Sequence, residues 1–230
     1  MQSQQRPRGI HGQTVATIAG RILSNEYPEG TILDLPTLRA ELEVSLTALR
    51  EALKVLNAKG MIDARQKRGT FVQPRSSWHM LDADVMRWHT STRCDPGLFD
   101  QLSEVRAVVE PASARLAAER ATDSDLASLE AALTAMAEAP DVDAAVAADV
   151  TFHRQLLLAT HNEFLAQIAQ IIAIGLAERD KVVHHANPPD PVPSHRAVLD
   201  AVHAHDPAAA ERTMRTLVDQ SVADLRNVER

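Results

Sequence analysis

Apolar positions along this chain recur at spacings of three and four, the period of helices that bury one face, with one short interruption. Residues 12–27, GQTVATIAGRILSNEY, place Val15, Ile18, Ala19 and Ile22 on one stripe and stop at the turn residues PEG. Residues 36–44 put Leu38 and Leu42 on one face of a short helix. Ser45 then offers a side-chain oxygen to cap a further helix, in which Leu49, Leu53 and Leu56 form the buried stripe and Gly60 the stop. The interruption follows. MIDA at 61–64 and TFVQ at 70–73 bracket RQKRG at 65–69, which predicts a two-stranded hairpin with a basic tip. Helix, helix, turn, helix and hairpin is the element order of a winged helix-turn-helix.

Beyond a linker at 74–79 the helical period returns and holds to the end. It predicts a short helix at LDADVMRWH, a long one over 98–121 that Pro111 should kink, and helices over 123–139, 142–161 and 163–186. NPPDPVP at 187–193 breaks the pattern. Helices over 194–205 and 207–230 close the chain, the last with Asp206 as N-cap. The expected fold class is mainly α: a winged helix-turn-helix domain at 1–76, then an all-α helical bundle at 77–230. Trp78 and Trp88, near the junction, are expected to pack.

Composition narrows the function classes. Two Trp, one Tyr and four Phe leave Ala, Leu, Val and Ile to build the cores, which favours packed helices. No apolar run approaches the roughly 18 residues of a membrane span. The N-terminal MQSQQRPRGIHG has no apolar stretch behind its charges, so no signal peptide is expected. A single cysteine, Cys94, excludes an internal disulfide framework and fits a reducing cytoplasm. The formal net charge of −7 argues against a nucleic-acid partner until the chain is divided. Residues 1–76 carry 11 Lys and Arg against 7 Asp and Glu, a net of +4, whereas 77–230 carry 13 against 24, a net of −11. A basic module that meets phosphates is thereby joined to an acidic one that does not.

Ser45, Thr47 and Arg50, early in the third helix, have the chemistry to reach phosphates and base edges in a major groove. Arg65, Lys67 and Arg68 at the hairpin tip could straddle phosphates, with Gly69 letting backbone approach the duplex; a merely solvated face is the alternative. The run SLTALREALKVLNAKGMIDARQKRGTFV resembles the signature of the GntR family of bacterial regulators. There, Val-Ser-x-Thr-x-x-Arg-Glu-Ala-Leu leads through a Gly-ended helix to a Gly-Thr-Phe-Val wing. The resemblance implies a transcriptional regulator, a repressor that meets double-stranded operator DNA as a homodimer, and adds Arg39 and Thr70 to the DNA-facing residues. Two positions depart from the family: Leu46 stands where an Arg is usual, and Leu35 where a Glu is usual. The operator is therefore not to be copied from relatives.

LSEVRAVVEPASARLAAERAT, DVTFHRQLLLATHNEFL and HRAVLDAVHAHDPAAAERTM are similar to the FCD ligand-binding domain of FadR-type members, and SSWHMLDADVMRW to sugar-acid operon repressors among them. Asp149 and His153, four apart, lie roughly 40° apart around a helix, as an ion pair or as two ligands of one divalent metal. The resemblance makes them metal ligands, adds His195, and sets Leu217 where the family has a fourth. Three ligands and an open position imply zinc, with nickel or manganese as alternatives, and a small carboxylate effector, a sugar acid, beside it. Arg106 would hold the effector's carboxylate, or pair with Glu110 four residues on; Asn162 would orient a hydroxyl, or cap the next helix. His184, His185, His203 and His205 are read as surface histidines. A metal-responsive regulator is the alternative. A metal-dependent hydrolase is a weaker one, since no positioned general base or oxyanion donor is in view, and no enzyme is expected. Arg50→Ala is expected to abolish specific operator binding, measured by fluorescence anisotropy, while leaving the thermal unfolding curve in place.

Overall fold

The computed structural model describes residues 9–92, 97–184 and 190–228. Cys94 and His185, and the side chain of His184, lie outside the described part. Two compact units divide near residue 95. In the first, α1 (Gly9–Leu23), α2 (Leu35–Glu41) and α3 (Leu46–Ala58) precede a hairpin of β1 (Ile62–Arg65) and β2 (Gly69–Val72), a 3-10 turn at Arg75–Ser77, and α4 (Ala83–Thr92). The strands are antiparallel, Ile62 facing Val72 and Arg65 facing Gly69. The stripes read from the sequence meet in one core, where Ile18, Leu49, Leu56 and Met61 are fully buried. Leu35 packs against that core, as do Trp78 and Trp88.

The first unit reaches further than the expected boundary at residue 76. The cause is α4, which lies on α1 and contributes Val85 to the same core. Lys59 strengthens the attachment by pairing with Asp82 and Asp84 at 2.7 and 2.8 Å.

The second unit consists, among its described residues, of α5 (Leu98–Arg120), α6 (Asp123–Ala137), α7 (Val142–Leu158), α8 (Glu163–His184), α9 (Val192–His203) and α10 (Pro207–Val228). Each start has a local cause. Thr122 and Asp125 form a capping box for α6, Asp141 caps α7, and Asp206 accepts from the Ala209 N–H at 2.9 Å to cap α10. Pro111 does not divide α5, which continues as one helix to Arg120 with the proline buried. α10 lies along α5, α7 lies against α6 and α8, and α9 against α10 and α6. Alanines such as Ala114, Ala117 and Ala118 let α5 pack closely, and Phe152 fills the middle of the core.

The joint between α3 and the hairpin is set by one residue. Gly60 has φ of +73° and closes α3 in a Schellman arrangement: its N–H donates to the Asn57 carbonyl at 2.9 Å and that of Met61 to the Leu56 carbonyl at 3.0 Å. A Cβ at this position would meet the Ser77 carbonyl oxygen at 2.1 Å. Backbone strain and the clash act together, so Gly60→Ala is expected to lower unfolding free energy by about 2–4 kcal/mol in urea titration. A loss below about 0.5 kcal/mol, the range of ordinary surface changes, would show that the joint yields.

Candidate functional site

The first unit presents its polar face through α3 and the hairpin. The Ser45 hydroxyl accepts from the Ala48 N–H at 3.1 Å and so caps α3. With Leu49, Ala52, Leu53 and Leu56 turned inward, Leu46, Thr47 and Arg50 are left exposed. In the hairpin, Lys67 has φ of +71° at the tip, and the Arg68 guanidinium sits 3.7 Å from the centre of the Phe71 ring. Arg65 pairs with Asp63 at 2.8 Å. Arg39, Arg65, Lys67, Arg68 and Gly69 are exposed as the sequence suggests. Thr70 is half-buried, and its carbonyl accepts from the Leu33 N–H at 2.8 Å.

The second unit contains a cavity of about 90 Å³ on whose wall Asp149, His153, His195 and Arg106 meet. Asp149 and His153 come from consecutive turns of α7, and His195 from the first turns of α9. One donor atom from each of the three lies within 4.8 Å of the other two. His195 Nε2 approaches Asp149 Oδ1 at 3.0 Å, and His153 Nε2 approaches Asp149 Oδ2 at 3.7 Å. The His195 contact is close but not aligned as a hydrogen bond, so that nitrogen is buried without a hydrogen-bond partner among the described residues. The opposite edges of the rings are held. His195 Nδ1 lies 2.8 Å from the Pro191 carbonyl, and His153 Nδ1 lies 3.0 Å from Glu110 Oε2, an ion-pair distance rather than an aligned hydrogen bond.

Arg106 is 1% exposed; it lines the cavity, and its Nε donates to Glu110 Oε1 at 2.8 Å, the helix pair considered for it. Its Nη1 donates to the Ser221 hydroxyl at 3.0 Å. Asn162 instead accepts from the Phe164 and Leu165 N–H groups at 2.9 and 3.3 Å. It caps α8, the alternative considered for it, and is not among the residues lining this cavity. Leu217, 5% exposed, does line the cavity. His203 and His205 are exposed, as expected.

The buried charges Arg179 and Asp180 on the wall were not singled out from the sequence. Arg179 and Asp180 pair at 2.5 Å, and Arg179 also donates to the Ser221 backbone carbonyl. A signal existed. These two charges continue the buried row of Ile172 and Leu176 along α8, where a solvated face would not place them.

Electrostatics follow from burial and neighbours. Burial opposes ionisation of Asp149, but His153 and His195 outweigh it and hold the carboxyl well below the usual range. Asp180 is pushed up to about 8 by burial and then by the Asp149 carboxylate. Burial depresses His195, yet Asp149 more than reverses this and raises it. For Glu110, burial is outweighed by Arg106 and His153, which hold it at about 2 against an ordinary 4.5. With its pKa lowered on folding, Glu110 contributes stability that is complete above 4.5 and fades as pH falls towards 2. Glu110→Gln strands the Arg106 charge and should cost about 3–5 kcal/mol at neutral pH by urea unfolding. A cost under about 1 kcal/mol would mean that the pair is dispensable.

Comparison with known proteins bears on both units. The model for bacterial regulatory proteins of the gntR family matches residues 11–72, and that for the FCD domain matches residues 101–220. The galactonate operon transcriptional repressor of Escherichia coli (strain K12) is 37% identical over 219 residues, covering 93% of this chain and 96% of that protein. The putative L-lactate dehydrogenase operon regulatory protein of the same strain is 32% identical over 186 residues, covering 77% and 70%. Among solved structures, Streptococcus agalactiae GntR aligns with a TM-score of 0.51 at 26% identity, covering 94% and 99%. Lar of Listeria monocytogenes aligns at 0.66 with 16% identity, covering 97% and 99%, a likeness of fold alone. These relatives are transcription regulators rather than enzymes. The chain belongs to the GntR family of DNA-binding transcription regulators, in the group that carries an FCD domain.

Proposed function

We propose that this regulator is a repressor whose hold on its operator is set by a sugar acid, bound together with a divalent metal in the cavity of the second unit. The observation that carries this reading is the convergence of Asp149, His153 and His195 beside Arg106. Two nitrogens and a carboxylate suit zinc, with nickel and manganese as compatible alternatives. The Nδ1 contacts to Pro191 and Glu110 turn each Nε2 towards Asp149, the usual outer support of metal-binding histidines. A metal would also satisfy His195 Nε2, otherwise buried without a hydrogen bond among the described residues.

Bound there, the metal would supply positive charge and an open coordination position for a carboxylate and its neighbouring hydroxyl. Arg106, whose Nε and Nη2 already face Glu110, would add positive charge beside the same carboxylate. Asp190, Ser194, Gln220 and Asp224 on the wall offer acceptors and donors for further hydroxyl groups. That polar wall favours a polyhydroxy acid over one as short as lactate. It agrees with the likeness to a repressor named for a galactonate operon.

On this reading the chain works in the cytoplasm as a homodimer, two α3 helices meeting the half-sites of a near-palindromic operator. The effector acts by binding the DNA-competent arrangement less well than the released one. Thermal shift with a panel of aldonic and uronic acids, before and after chelator treatment, tests it alongside anisotropy on the chain's own promoter DNA. One acid should stabilise the metal-loaded protein by about 2.7 kcal/mol at a hundredfold excess over its Kd. The same acid should weaken DNA binding. His195→Ala should lose the metal, measured by elemental analysis, and the acid response, yet keep DNA binding. If metal alone abolishes DNA binding while no acid shifts stability, a metal-responsive regulator replaces this reading.

A further inference from the structure

We infer that Leu46 reads the methyl group of a thymine in the major groove of the operator. Leu46 is the first residue of α3, directly after its Ser45 cap, and is 40% exposed. It lies about 20° around the axis from Leu53, on the flank of the buried stripe of Leu49, Leu53 and Leu56, yet stays exposed and outside the core those residues build. On a helix, positions four apart lie about 40° apart, so Leu46 shares an edge of α3 with the exposed Arg50. The N-terminal residues of a recognition helix are those that reach base edges.

A branched apolar side chain can neither pair with a phosphate nor accept or donate a hydrogen bond. In the major groove, what it can bury against is the C5-methyl group of thymine, which no other base of DNA carries. Its surroundings favour duplex DNA as the occupant: Arg39, Arg50 and the basic wing tip are all exposed on the same unit. Arg50 and the wing then hold the backbone and any guanine contact, while Leu46 selects one base without adding charge. The inference rests on α3 being the DNA-reading helix.

The test begins with a random duplex pool selected on the intact protein. Each thymine of the selected sequence is then replaced singly by deoxyuridine, which deletes only the methyl, and affinity is read by anisotropy. One thymine per half-site should lose about fourfold in affinity, the value of one buried methyl-sized group. Leu46→Ala should bind the parent sequence about fourfold more weakly and be indifferent to deoxyuridine at that position. Its salt dependence should match that of the unaltered protein, since no phosphate contact is lost. Leu46→Arg should select a different base there. Equal methyl dependence in Leu46→Ala, or no methyl-dependent position at all, overturns the role of Leu46 while leaving α3 as the reader. Failure to select any sequence overturns α3 as the reader as well.

Discussion

Burying a guanidinium in a helical bundle imposes conditions on everything around it. Arg106 cannot shed its proton, so its charge must be matched inside the protein, and Glu110 does this one turn further along α5. The remaining donors of Arg106 then need oxygens, which fixes Ser221 on α10 against α5. Glu110 in turn faces His153 on α7, whose other nitrogen faces Asp149. Asp149 meets His195 of α9. Four helices are thus positioned by one chain of charged and polar contacts that begins with an arginine. The apolar core built on Phe152 and the alanines of α5 supplies the close packing, while the polar chain fixes which residues come together at the cavity.

Most of the architecture was legible because it is written in helical periodicity and end signals. Ser45, Gly60 and Asp206 mark helix ends in the structure as in the sequence, and the basic tip at 65–69 is the hairpin turn. The domain boundary was less legible. A short helix such as α4 carries its own period but not the identity of the surface it will cover, and here that surface is α1.

At the site, spacing brought Asp149 and His153 together because four residues return a helix to the same face. The placement of His195 came from resemblance, since two separate helices share no spacing. Asn162 stayed ambiguous for a related reason: an Asn just before a helix is both a plausible ligand group and a good cap, and in the structure it caps α8. The two family departures also separate by environment. Leu35 is half-buried against the core, where an apolar residue is at home, whereas Leu46 is exposed.

The crowded joint at Gly60 has a consequence for how the first unit meets a duplex. With the Ser77 carbonyl against it and both of its flanking amides committed to α3, the hairpin has little freedom to pivot on that helix. The spacing between recognition helix and wing behaves like the gap of a fixed gauge. Any mismatch with groove dimensions must be absorbed by the DNA, whose stiffness depends on its base steps. If α3 and the hairpin read the duplex as proposed, such a reader would rank operators by their mechanics as well as by their letters, including at base pairs that no side chain touches.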